Sequence, residues 1–200
     1  APFIANPPQT PRDYNPTGAY RTTFTVPSDW KGEEVFLRFE KVASASFLWV
    51  NGQEVGYNEG AQETAEYNIT PYLKKGRNTL AMMVVKYSDG YYLEGQDYWR
   101  LAGIFDDVYL YATPKTRLFD WYVTTDLDKE YKDADLRIEA TVRSYDDVPV
   151  QSPLKVLAVL SDAEGKTVAE LESEEARFAA GSKSLTLTMT LTSLKCISSF

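Results

Sequence analysis

The chain has 200 residues, 44% of them hydrophobic, enough for one or two domains with real cores. Its formal net charge of −8, with no basic cluster beyond Lys74, Lys75 and Arg77, argues against nucleic acid or anionic membrane as a partner, because both are bound through Lys and Arg. The single cysteine, Cys196, excludes an internal disulfide. The absence of histidine removes the usual zinc sites and the Ser-His and Cys-His nucleophiles, so any chemistry rests on carboxylates, amides and aromatic rings.

Along the chain, Pro2, Pro7, Pro8, Pro11 and Pro16 fix φ and remove donors, so the first eighteen residues read as an extended arm. That arm shows neither the basic region nor the apolar run of a signal peptide, and no apolar stretch reaches the ~20 residues of a membrane span. Residues 14–18, Tyr-Asn-Pro-Thr-Gly, are a turn signal; by local chemistry Asn15 caps its own turn. Residues 19–26 are β-branched and aromatic, as a strand requires, and residues 27–32 break the run. Residues 35–40 and 46–50 follow as strands. Asn51-Gly52 then gives the strongest hairpin signal of the sequence, with residues 54–57 returning. Residues 66–70 form a short strand, 72–78 a turn, 79–85 a near-continuous apolar strand, and 108–111 close the block. About seven short strands and no helix predict an antiparallel jelly-roll sandwich over residues 1–114.

The pattern restarts after Pro114 with residues 117–125. Leu136, Ile138, Ala140 and Val142 alternate with polar residues, as do Leu154, Val156, Ala158 and Leu160, and Leu185, Leu187, Met189 and Leu191. Residues 162–166 make a hairpin turn between strands. About six strands predict an immunoglobulin-like sandwich over residues 115–200 that serves as a spacer or packing module. From Thr192 onward the alternation is lost, as in an appended tail or a truncated strand.

Residues 87–111, YSDGYYLEGQDYWRLAGIFDDVYLY, concentrate candidate chemistry. Asp89, Glu94, Asp97, Asp106 and Asp107 are interleaved with Tyr91, Tyr92, Tyr98 and Trp99 and with turn glycines, a mixture a core strand cannot bury. Aromatic faces suit a sugar ring, and carboxylates accept its hydroxyl hydrogens or hold a hard cation. Asp97, beside Tyr98-Trp99-Arg100, is the best single ligand candidate; the alternative is a surface ion pair with Arg100, worth ~0 to 1 kcal/mol. No spacing here fixes the two carboxylates of a glycosidase.

Asn15-Pro16-Thr17-Gly18-Ala19-Tyr20, Leu48-Trp49-Val50-Asn51-Gly52 with Val55-Gly56-Tyr57, Tyr87-Ser88-Asp89-Gly90, and above all residues 93–105, LEGQDYWRLAGIF, resemble the N-terminal part of family 2 glycoside hydrolases, most closely the large bacterial β-galactosidases. The resemblance runs from about residue 6 to residue 145. It implies a sugar-binding jelly roll, an immunoglobulin-like domain, and a following catalytic (β/α)8 barrel, for which this chain has neither length nor pattern. The chain is therefore expected to be a fragment of a bacterial enzyme, cytoplasmic or periplasmic, and inactive alone, because both catalytic glutamates belong to the barrel. By motif position, the resemblance implies that Asn15 hydrogen-bonds substrate and that Asp97 contacts galactose and ligates sodium; Trp99, as an aromatic platform beside Asp97, is a further substrate-binding candidate, a magnesium ion belongs to the barrel, and the parent is a homo-oligomer. A free-standing carbohydrate-binding module, or the same region of a β-mannosidase or β-glucuronidase, is the alternative. Asp106 stands where the family usually has arginine, which inverts a charge beside Asp107.

Overall fold

The structure, a computed structural model, describes residues 9–11, 13–94, 97, 99 and 101–195. The chain divides into two units, Ala1–Thr113 and Pro114–Phe200.

In the first unit the strands are β1 (Thr17–Thr25), β2 (Glu34–Phe39), β3 (Val42–Ala43), β4 (Ala45–Val50), β5 (Gln53–Asn58), β6 (Ala65–Asn68), β7 (Arg77–Val85), β8 (Gly103–Ile104) and β9 (Val108–Thr113). All pairings are antiparallel, in a four-stranded sheet β1-β7-β4-β5, a three-stranded sheet β6-β2-β9 and the short pair β3-β8. The two larger sheets form a jelly-roll sandwich. Val35, Leu37 and Phe39 of β2 meet Leu48 and Val50 of β4 and Met82 and Val84 of β7, with Ile69 fully buried among them. At 20–33 cal/mol per Å² this apolar burial is the dominant favourable contribution. The hairpin signal lies where the sequence puts it: Asn51 and Gly52 both take positive φ, +53° and +81°, between β4 and β5.

Two expectations for this unit need correction. The two strands beyond the expected seven are β3 and β8, a pair of two-residue segments too short for any alternation to register. The second correction is a helix, α1 (Asp89–Leu93), inside the segment read as helix-free. Five residues cannot display a 3.6-residue period; what starts α1 is Ser88, whose hydroxyl accepts the Tyr91 N–H at 3.2 Å as an N-cap.

The second unit is an immunoglobulin-like sandwich of β10 (Thr116–Leu127), β11 (Asp133–Ser144), β12 (Leu157–Ser161), β13 (Thr167–Glu172) and β14 (Ser184–Lys195). One sheet has the order β10-β11-β14 and the other is the pair β12-β13. Ala140 and Met189 pack on Leu171, and Val142 and Leu187 on Phe178. There are five strands among the described residues, fewer than expected. The run from Leu154 begins as a single bridge to Ala176, and only Leu157 onward is strand. β14 also continues through Lys195, beyond the expected loss of pattern at Thr192, with a register shift opposite Ala134 to Leu136 and a positive φ of 56° at Ser193. The end of the predicted tail, residues 196–200 with Cys196, lies outside the described residues.

Candidate functional site

The β1–β7 ladder ends with Thr17 opposite Val85, and Lys86 N–H donates to Pro16 O at 3.0 Å. Pro16 has no N–H to return, and the backbone ladder stops. Half-buried Asn15 continues it with its side chain: Oδ1 accepts the Tyr87 N–H at 2.9 Å, and Nδ2 donates to Tyr87 O at 2.7 Å. A primary amide has the same donor-acceptor spacing as a peptide, so it stands in for one more paired residue. The expected local cap is therefore not its role. The turn itself is held by Thr17 Oγ1 donating to Asn15 O at 3.1 Å.

From Tyr87 the chain enters α1, which is fixed at both ends. Buried Ser88 meets the Ser44 hydroxyl at 2.9 Å while capping the helix, and Ser44 Oγ also lies 2.9 Å from Lys86 O. Glu59 Oε1 accepts the Gly90 N–H at 3.1 Å, and Glu94 Oε2 accepts the Ala61 N–H at 2.8 Å, so the strand-end segment and the helix tie each other reciprocally. Gly90 is required: a Cβ there would come within 2.9 Å of Glu59 Cγ and 3.2 Å of Glu59 O. The Tyr91 ring stands edge-on to Tyr87 and to Tyr92, with centroids 5.0 and 5.3 Å away.

Past this anchor, Asp97 is an exposed turn residue and Trp99 is 89% exposed. The structure thus presents both to solvent beyond a pinned helix, with Asn15 at the helix's entry rather than among them. Gly95, Gln96, Tyr98 and Arg100 lie outside the described residues, and with them the alternative pairing of Asp97 with Arg100. Asp106 takes up the Asp107 N–H at 2.9 Å, a local turn contact. A cleft of about 410 Å³ opens where the loop returns, lined by Pro16, Gly18, Tyr20, Lys86, Leu101 and Gly103.

Sequence reading missed Glu59 and Ser44. Burial pushes the Glu59 carboxyl up, but a proton shared with the Asp89 carboxyl and hydrogen bonds from the Tyr57 hydroxyl, the Gly90 N–H and Ser88 outweigh it and bring Glu59 down to about 2. The Tyr57 phenol moves up, through its own burial and then the Glu59 contact. Between the ordinary carboxyl value of 4.5 and about 2 the unfolded chain binds more protons at this position than the folded one. The stabilisation is full above the upper limit and fades as pH falls through the lower one. Thermal midpoints of the wild type and Glu59→Gln are expected to differ most near neutral pH and to converge at about pH 2; a gap independent of pH would show that the carboxylate charge contributes nothing.

Residues 1–114 match the family model described as glycosyl hydrolases family 2, sugar binding domain. The chain belongs to glycosyl hydrolase family 2. Within the family, the β-galactosidase of Priestia megaterium is 42% identical over 171 residues, which is 84% of this chain and 16% of that protein. The β-galactosidase of Vibrio cholerae serotype O1 is 42% identical over 172 residues, 86% of this chain and again 16% of that protein. The chain therefore spans about a sixth of the length of these curated relatives. Among solved structures, Bacteroides uniformis β-glucuronidase 2, covalently bound to cyclophellitol-6-carboxylate aziridine, superposes with a TM-score of 0.79 at 25% identity, over 91% of this chain and 22% of that one.

Proposed function

We propose that this chain is the non-catalytic N-terminal region of a retaining β-galactosidase that hydrolyses terminal β-D-galactosides. In that mechanism one carboxylate attacks the anomeric carbon and a second protonates the leaving oxygen. Both belong to a (β/α)8 barrel outside these residues, and this chain lends contacts. Asp97, ionised and acceptor-only, receives sugar hydroxyl hydrogens, Trp99 offers a flat apolar face, and Asn15 fixes the approach of the segment that carries them. The observation that carries the reading is the 42% identity to a β-galactosidase across 84% of the chain.

A sodium ion suits Asp97 by donor chemistry, since hard cations take oxygen ligands. Among the described residues no group of three or more His, Cys, Asp or Glu stands close enough to hold a metal, so Asp97 would supply one ligand and other parts of the parent the rest. Bound there, the ion would neutralise the carboxylate and order sugar oxygens. Magnesium would belong to the barrel, and a homo-oligomeric parent follows from the same family reading.

The likeness to a β-glucuronidase favours a second reading, a uronic acid substrate. Asp97 opposes it, because an ionised carboxylate beside a uronate is repulsive. The isolated 200-residue chain is expected to leave aryl β-galactosides at background hydrolysis and to show no measurable galactose affinity, as it holds only part of the contacts. Millimolar binding abolished by Asp97→Ala would favour a free-standing carbohydrate-binding module. Hydrolysis of aryl β-glucuronide in preference to β-galactoside by the parent would replace the substrate.

A further inference from the structure

Asn51-Gly52 is the one Asn-Gly step in the chain. In that dipeptide a backbone nitrogen reaches the preceding side-chain amide with least hindrance, because glycine has no Cβ to stand in the way. The pair forms the tip of the β4–β5 hairpin, where Val50 is opposite Gln53. Gly52 is exposed, and nothing lies within 4 Å of where a Cβ would be. The nucleophile is open to solvent. The amide it would attack is not free to meet it, because half-buried Asn51 gives one Nδ2 hydrogen to Tyr72 O and the other to Asn78 Oδ1, both at 2.8 Å. Its Oδ1 accepts the Thr79 N–H at 3.0 Å, and its own N–H donates to Thr79 O at 2.8 Å. Side chain and backbone are both held.

We propose that Asn51 is a latent deamidation site that the fold silences and whose product bars the hairpin from closing again. The reaction needs only water and hydroxide. The Gly52 nitrogen loses its proton to hydroxide and bonds to Asn51 Cγ, the Cγ–Nδ2 bond breaks, and Nδ2 leaves as ammonia after taking a proton from water. Water then adds to either carbonyl of the five-membered imide and opens it to aspartate or isoaspartate. In the folded chain Cγ would first have to swing towards the Gly52 nitrogen, and Nδ2 would have to release Tyr72 O and Asn78 Oδ1 in order to leave. Neither product can rebuild these contacts. An aspartate carboxylate has no hydrogen to give and sets a negative charge against those two oxygens in a half-buried place. Isoaspartate adds a backbone atom to a two-residue loop, whose length sets the register of Leu48 and Val50, both 0% exposed. The chain thus carries a limit on the time it can stay open and still fold, whatever sugar its parent acts on.

The test holds the 200-residue chain at one mildly alkaline pH and temperature, native in one sample and in guanidinium chloride in another. Trypsin then releases residues 42–74, in which fragment masses follow Asn51, with Asn58 and Asn68 as controls that precede larger residues. Asn51 is expected to convert at least ~100-fold faster in the unfolded sample, because the native hairpin must open before it can react. Equal rates would overturn the silencing by the fold. At half conversion the denaturant is diluted out, and size exclusion separates refolded chains from the remainder. Conversion at position 51 is expected to be at least ~10-fold commoner in the remainder, with Asn58 and Asn68 alike in both pools. The same converted fraction at position 51 in both pools would show that the product still folds and would overturn the second half of the proposal.

Discussion

Asn78→Leu is expected to destabilise the first unit by about 3 kcal/mol or more, since several buried polar groups lose their partners together at ~1–3 kcal/mol each. Asn78 is 0% exposed. Its Oδ1 accepts from the Lys74 N–H at 2.9 Å and from Asn51 Nδ2 at 2.8 Å; its Nδ2 donates to Lys74 O at 3.1 Å and Gly76 O at 3.0 Å. Every hydrogen-bonding position of the amide is used. Asn51 spreads the network further, donating to Tyr72 O at 2.8 Å and accepting the Thr79 N–H at 3.0 Å. Leucine fills the volume and satisfies none of these groups, leaving them desolvated. Asn78→Asp keeps both acceptor contacts, loses both donors and buries a charge, so it should also be severe. Urea unfolding followed by near-ultraviolet circular dichroism measures the loss; less than about 1 kcal/mol would mean that water enters and satisfies the network.

That network also marks where sequence reading stops. Asn51-Gly52 was legible because a hairpin needs two consecutive positive φ values, a local demand that local chemistry reveals. The partnership of Asn51 with Asn78 was not: Asn78 sits at the end of a turn-like run, and nothing within four residues shows that a hairpin 27 positions earlier will dock there. The same holds for Glu59, which reaches Gly90 across 31 residues. Alternation revealed strands of the second unit because a half-buried sheet imposes a two-residue period, while those of the first were legible from β-branched and aromatic composition and turn signals. Neither signal reaches β3, β8 and α1, which are too short for a period to repeat. Nor could alternation tell that the core side of β10 stays wet, since alternation states which residues share a face and not what covers it. At the candidate site, composition pointed to residues 87–111 and local chemistry to Asp97 within them, while the roles of Asn15 and Asp97 came from resemblance. The clamp of Asn15 on Tyr87 was visible to neither, because it joins residues 72 positions apart.

Asn15→Ala and Asp97→Ala are expected to separate two kinds of contribution that motif position alone assigns to one site. Removing the Asn15 amide leaves Tyr87 N–H and C=O without their partner in a half-buried setting, so the 200-residue chain should lose about 1–3 kcal/mol of stability. Asp97 is exposed, and no described hydrogen bond or ion pair ties its carboxylate to the fold, so Asp97→Ala should leave stability within about 0.5 kcal/mol of the wild type. In the full-length glycosidase the order reverses in kind. Loss of a hydrogen bond to a charged group, about 1.5–3 kcal/mol, corresponds to a fall of roughly 10- to 150-fold in kcat/KM for Asp97→Ala on an aryl β-galactoside. Added sodium should not restore it, because the oxygen ligand itself is gone. Asn15→Asp keeps the acceptor for the Tyr87 N–H and sets a carboxylate against the Tyr87 carbonyl, so it should lie between the wild type and alanine in stability if the clamp matters most. An Asp97→Ala protein with unchanged kcat/KM would remove Asp97 from the sugar site. An Asn15→Ala chain as stable as the wild type, yet inactive in the parent, would show that the amide serves the substrate directly and not the backbone of Tyr87.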